Sequence, residues 1–379
     1  MNRGAVAEIS LKAIESNLQT VKKLVKKRPV IAVVKADAYG HGAVEVSKSL
    51  SRHGVSSLAV AFTNEAIELR ETGINAPILV FFDRGDVKQF FDFRLVPVIY
   101  SVNNAMSFSR EAKKRGSVIK IHVKVDTGMG RLGLSDKNVI NDLIKISQMD
   151  GLELTGLMSH FSEADLLDRS YATLQLKRFM DIREKASKIL KRKIFSHIAN
   201  SAAVLSFRDG YLDAVRPGLM LYGYTPFSQH TANVPLLKRE KKRGHKLIPA
   251  MRVVTRILCI RTMPSGSPIS YGRTFITKRR SRIGVIPLGY ADGYSRLFSN
   301  NTDVLVKGRR VPVVGRVCMD LMMVDLTDVT GVDENEEVVI LGNQGKESIT
   351  AYELASRANT IPYEILTSLG SKSSKIYTV

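Results

Sequence analysis

Between Val30 and Met220 short β-rich runs recur with amphipathic stretches between them, and this alternation limits the fold more than any other feature of the chain. The runs are Val30–Val34, Ser57–Phe62, Pro77–Phe82, Val96–Tyr100, Val118–Val125, Leu152–Met158, Ile194–Ile198 and Ala214–Met220. Helical patterns separate them, at Val44–Ser51, Asn64–Thr72, Asn103–Arg115, Asn138–Gln148 and Ser170–Leu190. Repeated β-α units make a parallel sheet, and eight strands in that order predict a closed (β/α)8 barrel. After the basic linker Lys238–Lys246 the texture changes. Met251–Thr262, Arg282–Pro287, Thr302–Val306, Arg310–Val314, Met322–Leu326 and Glu336–Leu341 read as short strands between Gly, Asp and Asn turns. The predicted class is therefore α/β: an N-terminal (β/α)8 barrel over 1–237 and a C-terminal all-β domain over 238–379. The 379 residues suffice for both.

Only Cys259 and Cys318 are present, too few and too far apart for a disulfide framework or a zinc site. No metal site is predicted, and a reducing cytoplasm fits. The first ten residues hold no continuous apolar stretch, and no segment approaches the ~20 apolar residues of a membrane span. The reading is a soluble, unexported, cytoplasmic protein with no membrane partner. A net charge of +21 raises a nucleic-acid surface as a second reading. The basic clusters are dispersed, however, and lack the interleaved aromatics that stack bases, so solvated faces account for them better. The same charge would attract small anions such as a phosphorylated cofactor.

In a barrel of this type chemistry gathers where strands end and helices begin. Lys35 follows the first run, Arg131 the fifth, His160 the sixth, Asn200 and Ser201 the seventh, and Arg216 lies beside the eighth. Ser201 opens a predicted helix, Ala202–Phe207, whose amides are placed to hold a phosphate. Lys35 sits between a buried strand and a glycine-rich turn, where desolvation lowers a lysine from its ordinary pKa of roughly 10.4 and frees the amine for Schiff-base chemistry. Position alone leaves open, and favours, a lysine snorkelling at a strand end.

The full string V-V-K-A-D-A-Y-G-H-G at Val33–Gly42 changes that balance, because it resembles the pyridoxal-phosphate site of the alanine racemase family. Further strings match the family in its order: K-V-D-T-G-M-G-R-L-G at Lys124–Gly133, H-I-A-N-S-A-A at His197–Ala203 and V-R-P-G at Val215–Gly218. I-S-Y-G-R-T-F at Ile269–Phe275, G-Y-A-D-G at Gly289–Gly293 and G-R-V-C-M-D at Gly315–Asp320 continue it. The resemblance implies pyridoxal 5'-phosphate as cofactor, with Lys35 carrying it as a Schiff base and serving as one acid/base. Tyr271 would be the other, on the opposite face of the substrate carbon. Arg216 would face the pyridine nitrogen; its alternative is a pairing with Asp213. Tyr39, Ser201, the amides of Gly218 and Leu219, and Tyr363 would hold the phosphate, with Asn200 beside them. Arg131 and the Met319 amide would bind the substrate carboxylate. His160 and His197 would pack near the ring, or be satisfied core histidines. Lys124 matches a lysine often carbamylated in relatives, and is otherwise an ordinary surface lysine. Asp165, Tyr290 and Arg296 match residues of the entry corridor.

What the resemblance implies as a whole is a homodimeric racemase interconverting L- and D-alanine and supplying D-alanine for peptidoglycan, its β-domain completing the partner's site. Serine or broad-specificity racemisation is the alternative, because pocket shape turns on small differences. Two departures stand out. Val6 replaces the family's usual tryptophan, and Lys372-Ser373-Ser374-Lys375-Ile376-Tyr377 replaces R-V-P-R-x-Y, leaving open how the segment near Ser371 runs.

Overall fold

The computed structural model describes residues 4–83, 85–135, 138–227 and 247–378. The basic linker Lys238–Lys246 and the expected boundary between 237 and 238 lie outside the described residues.

The first strand, β1 (Val6–Ser10), leads into a helix, Leu11–Val25, that is not among those the periodicity predicts. Ser10 starts it, its hydroxyl accepting from Ala13 N–H at 3.2 Å, and Leu11, Ile14, Leu18, Val21 and Val25 bury one face. Seven parallel strands follow, each paired with the next: β2 (Ile31–Val33), β3 (Ser57–Val60), β4 (Ile78–Val80), β5 (Val96–Ile99), β6 (Ile119–Lys124), β7 (Leu152–Met158) and β8 (Ser196–His197). All three residues of β2 and of β4 are buried, which is why these strands read as continuous apolar runs: helices cover the outer face and the barrel core fills the inner.

The eighth expected strand, Ala214–Met220, is shorter than predicted. It is reduced to bridges from Ala214 to His197 and from Val215 to Val30. These close the ring: Ile31 N–H donates to Val215 O at 2.9 Å and Val215 N–H to Pro29 O at 3.1 Å. Pro217 has no N–H to continue the ladder, so the chain turns into a short 3₁₀ segment, Leu219–Tyr222.

The second unit is built of β-sheets, as expected, with two helices added. One sheet orders its strands 309–312, 303–306, 337–344, 251–256, β1 and 374–378, with 347–349 on 337–344; another runs 259–263, 281–286, 322–325. β1 thus belongs to this unit, antiparallel to Met251–Arg256 and parallel to Ser374–Thr378. The expected strand Met251–Thr262 is two strands. Ile257 N–H goes to Glu336 O at 3.0 Å and Leu258 N–H to Val285 O at 2.8 Å, so the chain changes sheets there. Val6 lines a groove of ≈ 380 Å³ with Leu258, Pro287 and Ile376 on the outer face of the larger sheet. The added helices are Ala351–Arg357, capped by Thr350, and Pro362–Lys372, with proline at its first position. Among the described residues no helix is long and apolar enough to cross a membrane.

Candidate active site

Lys35 opens a turn in which Ala36, Asp37, Ala38 and Tyr39 all have φ between 52° and 55°. Four successive residues with side chains thus form one turn of left-handed helix, at a cost of roughly 1–2 kcal/mol each. Such backbone persists only where its surroundings over-determine it. Ala36 N–H donates to Glu65 Oε1 at 2.5 Å, while Glu65 Oε2 accepts from Ala61 and Phe62 N–H at 2.7 and 3.0 Å. The His41 ring places Nδ1 at 3.0 and 3.1 Å from the Ala38 and Tyr39 carbonyls, and since carbonyls only accept, Nδ1 carries the proton. The turn directs Tyr39 inward, 4.9 Å from the Tyr222 ring and 5.8 Å from that of Tyr363. Its hydroxyl abuts Gly218, where a Cβ would lie 2.4 Å from it; only glycine fits. Burial pushes the Tyr39 and Tyr363 hydroxyls above their ordinary pKa, so both are neutral donors.

The Ser201 hydroxyl accepts from Gly218 N–H at 2.9 Å and Met220 N–H at 3.3 Å. Leu219, first residue of the 3₁₀ segment, has no acceptor for its amide within that segment. Tyr39, Ser201, Gly218 and Leu219 therefore meet at one place, supplied by three different strand ends. Asn200 acts differently: its side chain caps the helix Ser201–Ser206 by accepting from Ala203 N–H at 3.0 Å.

Arg216 is buried and linked to the ends of two strands, β7 and β8. Its Nη1 donates to His197 Nδ1 at 2.5 Å and to His197 O at 2.9 Å, and its Nη2 to Ser159 O at 2.6 Å and Ile198 O at 3.2 Å. No bond to Asp213 forms; that carboxylate pairs with Arg183 and Lys193. A guanidinium only donates, so His197 Nδ1 accepts and its proton sits on Nε2, which reaches His122 Nδ1 at 2.8 Å. The relay fixes both tautomers. Burial, and then the Arg216 charge, hold His197 well below its ordinary pKa and His122 down to about 4. Burial lowers Arg216 itself to about 9, which leaves it a cation at neutral pH.

His160 is pushed well below its ordinary pKa by burial and then by Arg216, Lys124, Arg131 and Lys35. Four basic side chains thus act on one imidazole. Lys124, buried at the end of β6, is lowered to about 7 by burial, Arg216 and Arg131. Lys35 is lowered by burial and by Arg131, against a smaller opposing effect of Glu65. Lys35 Nζ and Arg131 Cζ each lie 5.7 Å from the Phe82 ring centre. The nearest carboxylate of the Arg131 loop is already engaged: Asp126 accepts from Gly128, Met129, Gly130 and Arg131 N–H at 2.8–3.1 Å.

The remaining expected residues lie elsewhere. Asp165 is half-buried and acts electrostatically on Tyr363. Tyr271, 69% exposed, lines a groove of ≈ 510 Å³ with Ile269, Cys318, Leu321 and Met323, and Met319, next in sequence to Cys318, is 54% exposed. Tyr290 and Arg296 are exposed on the same unit, and Tyr290 N–H donates to Cys318 O at 3.1 Å. Among the described residues nothing joins Tyr271 or Met319 to Lys35 within one chain.

Among the residues of this site that carry no role in the sequence reading are His41, Glu65, Phe82, Asp126 and His122. For His122 a signal exists, since it pairs in register with Gly156, a glycine inside an apolar strand. A Cβ at 156 would lie 2.6 Å from three His122 ring atoms. Gly156→Ala should displace that ring, break the relay from Arg216, and cost roughly 1–3 kcal/mol. Thermal unfolding of the variant measures this; an unchanged midpoint would show that the ring is not confined.

The family model for "Alanine racemase, N-terminal domain" matches residues 9–226, and that for "Alanine racemase, C-terminal domain" matches 250–377. The alanine racemase of Thermodesulfovibrio yellowstonii is 47% identical over 381 residues, covering 100% of this chain and 98% of the relative. The chain belongs to the alanine racemase family. The Methanococcus maripaludis member is 38% identical, with 98% of each chain covered. Among solved structures, alanine racemase from Bacillus anthracis with bound L-Ala-P is 34% identical, with a TM-score of 0.90 over 100% of this chain and 96% of that one. The Bartonella henselae enzyme with covalently bound pyridoxal phosphate is 28% identical, with a TM-score of 0.86 over 99% of each.

Proposed function

We propose that the chain interconverts L- and D-alanine with pyridoxal 5'-phosphate, Lys35 and Tyr271 serving the two faces of the substrate carbon. The observation that carries this is that Lys35, Lys124, Arg131 and Arg216 all act on the His160 ring, while Tyr39, Ser201 and Gly218 meet in one cradle at the same barrel end. A site so positive calls for an anionic occupant, and the donor set fits the cofactor: neutral hydroxyls and the Leu219 amide for a phosphate, a deprotonatable lysine for an aldehyde. Bound pyridoxal phosphate supplies the aldehyde that an amine captures and the conjugated ring that acidifies the proton on the substrate's α-carbon.

The chain's residues do the rest. Burial and then Arg131 lower the Lys35 pKa, which eases release of the neutral amine that would form the covalent link and, once freed, take or return a proton on its own face. Arg131 offers its guanidinium to the substrate carboxylate, its backbone fixed by Asp126 and its side chain resting on Phe82. Arg216 has both terminal nitrogens committed to carbonyls and His197, which leaves Nε as the donor for a pyridine nitrogen. A cation there can donate and cannot accept, so it keeps that nitrogen unprotonated and limits how much charge the ring draws away from the α-carbon. Lys124, near half-neutral at pH 7, can add CO2 and lose a proton to give a carbamate, whose negative charge would hold Arg131 and Arg216.

Tyr271 and Met319 reach a lysine in this reading only from a partner subunit, so the working unit is a homodimer. The exposure of both side chains, with Tyr271 lining an apolar groove, supports this. The residues Asp165, Tyr290 and Arg296 would then line the approach between subunits. The free thiols Cys259 and Cys318 fit a reducing cytoplasm, where the D-alanine would enter peptidoglycan synthesis. Serine or broad-specificity racemisation is not favoured, since every relative named above carries alanine in its name.

Purified protein given pyridoxal phosphate should show a borohydride-reducible absorbance and convert L- to D-alanine, read with a D-amino-acid oxidase. Cofactor uptake without conversion would defeat the racemase reading. Arg216→Glu should raise pyridoxamine formation relative to racemisation, because a carboxylate would favour a protonated ring nitrogen. The ratio is taken per cofactor-bound protein, so loss of folded material does not move it. An unchanged ratio counts against Arg216 facing the ring.

A further inference from the structure

The left-handed turn after Lys35 is packed against one continuous piece of the β-unit. Gly40 meets the helix Pro362–Lys372: a Cβ on it would lie 2.5 Å from Leu366 O and 3.0 Å from Gly370 Cα. Gly42 meets Tyr377, where a Cβ would lie 1.8 Å from the hydroxyl oxygen. Asp37 pairs with Lys375 at 2.8 Å, and the Lys375 side chain is only 17% exposed. Tyr39 meets Tyr363. In the strand Ser374–Thr378, Lys375 and Tyr377 share one face because side chains alternate, and the parallel register with β1 fixes that face: Ala7 opposes Lys375 and Ile9 opposes Tyr377.

Asp37 connects this strand to the turn's own hydrogen bonds. Its carboxylate Oδ1 accepts from Ala43 N–H at 2.7 Å while Oδ2 holds Lys375, and its carbonyl accepts from Gly42 N–H at 2.9 Å. We propose that the strand Ser374–Thr378 is a latch, with Lys375 and Tyr377 as positioning residues that hold the left-handed turn in the geometry presenting Lys35 and Tyr39. Neither side chain touches the reacting atoms. The latch reaches the cofactor cradle through Asp37 and Gly42, so the divergent segment keeps, with Lys375 and Tyr377, a cation and a phenol facing the turn. This inference rests on the pyridoxal-phosphate reading of Lys35 and Tyr39.

The test uses full-length Lys375→Met, Lys375→Arg and, as a control, Lys48→Met, which removes an exposed ion pair to Glu45 on the adjoining helix. Two quantities are measured: hydrogen exchange at the Gly42 and Ala43 amides without added cofactor, and the dissociation constant for pyridoxal phosphate by absorbance titration. Lys375→Met should exchange about tenfold faster at both amides and bind cofactor several-fold more weakly. Lys375→Arg should stay near wild type in both, and Lys48→Met should alter neither. Exchange at 42 and 43 no faster than in the control overturns the latch. Faster exchange with an unchanged dissociation constant also overturns it, because the strand would then be an anchor without a positioning role. If wild-type protein bound no cofactor, the functional reading would fall, and the exchange comparison alone would decide whether the strand holds the turn.

Discussion

Lys35→Ala should abolish covalent attachment of the cofactor and lower racemisation by roughly 10³-fold or more, within or above what a positioned acid-base group contributes. Two losses combine there. No other described lysine shares its place at the left-handed turn, and Lys124, the nearest alternative amine, is buried at the end of β6. The variant should not unfold more readily than wild type. Lys35 is depressed by burial and by Arg131, so the native state gains little from its charge, and removing one of the four basic side chains that act on His160 relieves repulsion. Activity lost with an unchanged or raised unfolding midpoint therefore assigns the loss to chemistry. A borohydride-stable adduct at wild-type level in Lys35→Ala would falsify the assignment.

The same residue shows how far the sequence could be read. The runs that became β2 to β5 are nearly continuous in apolar residues, so composition alone marks them; Val118–Val125 instead alternates apolar residues with Lys120, His122 and Lys124, and lies within one residue of the strand Ile119–Lys124 at each end. Ala214–Met220 is as apolar, yet Pro217 ends the ladder, and that local veto outweighs hydrophobicity. The break at Ile257 and Leu258 had no local signal, because it depends on which sheet each N–H meets. At the site, the cations were visible as strand-end residues, since a barrel places strand ends on one face. Their mutual effect on His160 was not, because it depends on distances across the barrel. The left-handed turn was hidden for a further reason. Ala, Asp, Ala and Tyr have no preference for that backbone, and contacts from residues some three hundred positions away impose it.

Mixing two inactive homodimers should restore activity, and the amount is set by counting. Within one chain the described residues give Lys35 no contact with Tyr271, which stands 69% exposed on the β-unit. In the proposed reading Lys35, at a barrel strand end, would serve one side of the cofactor, and the base for the other side would come from outside that barrel. If the partner supplies it, a Lys35→Ala subunit paired with a Tyr271→Phe subunit makes one site with both lesions and one with neither. Random exchange at equal amounts turns half the dimers into such pairs, so about a quarter of all sites become intact. Racemisation per total site should approach that fraction of wild type, with each parent inactive alone. The dependence on mixing ratio is a second check, since the product of the two subunit fractions peaks at equality. Mass spectrometry of tagged subunits establishes that exchange has occurred. Demonstrated exchange with no return of activity would mean that Lys35 and its opposing base lie in one chain, and the shared site would be wrong.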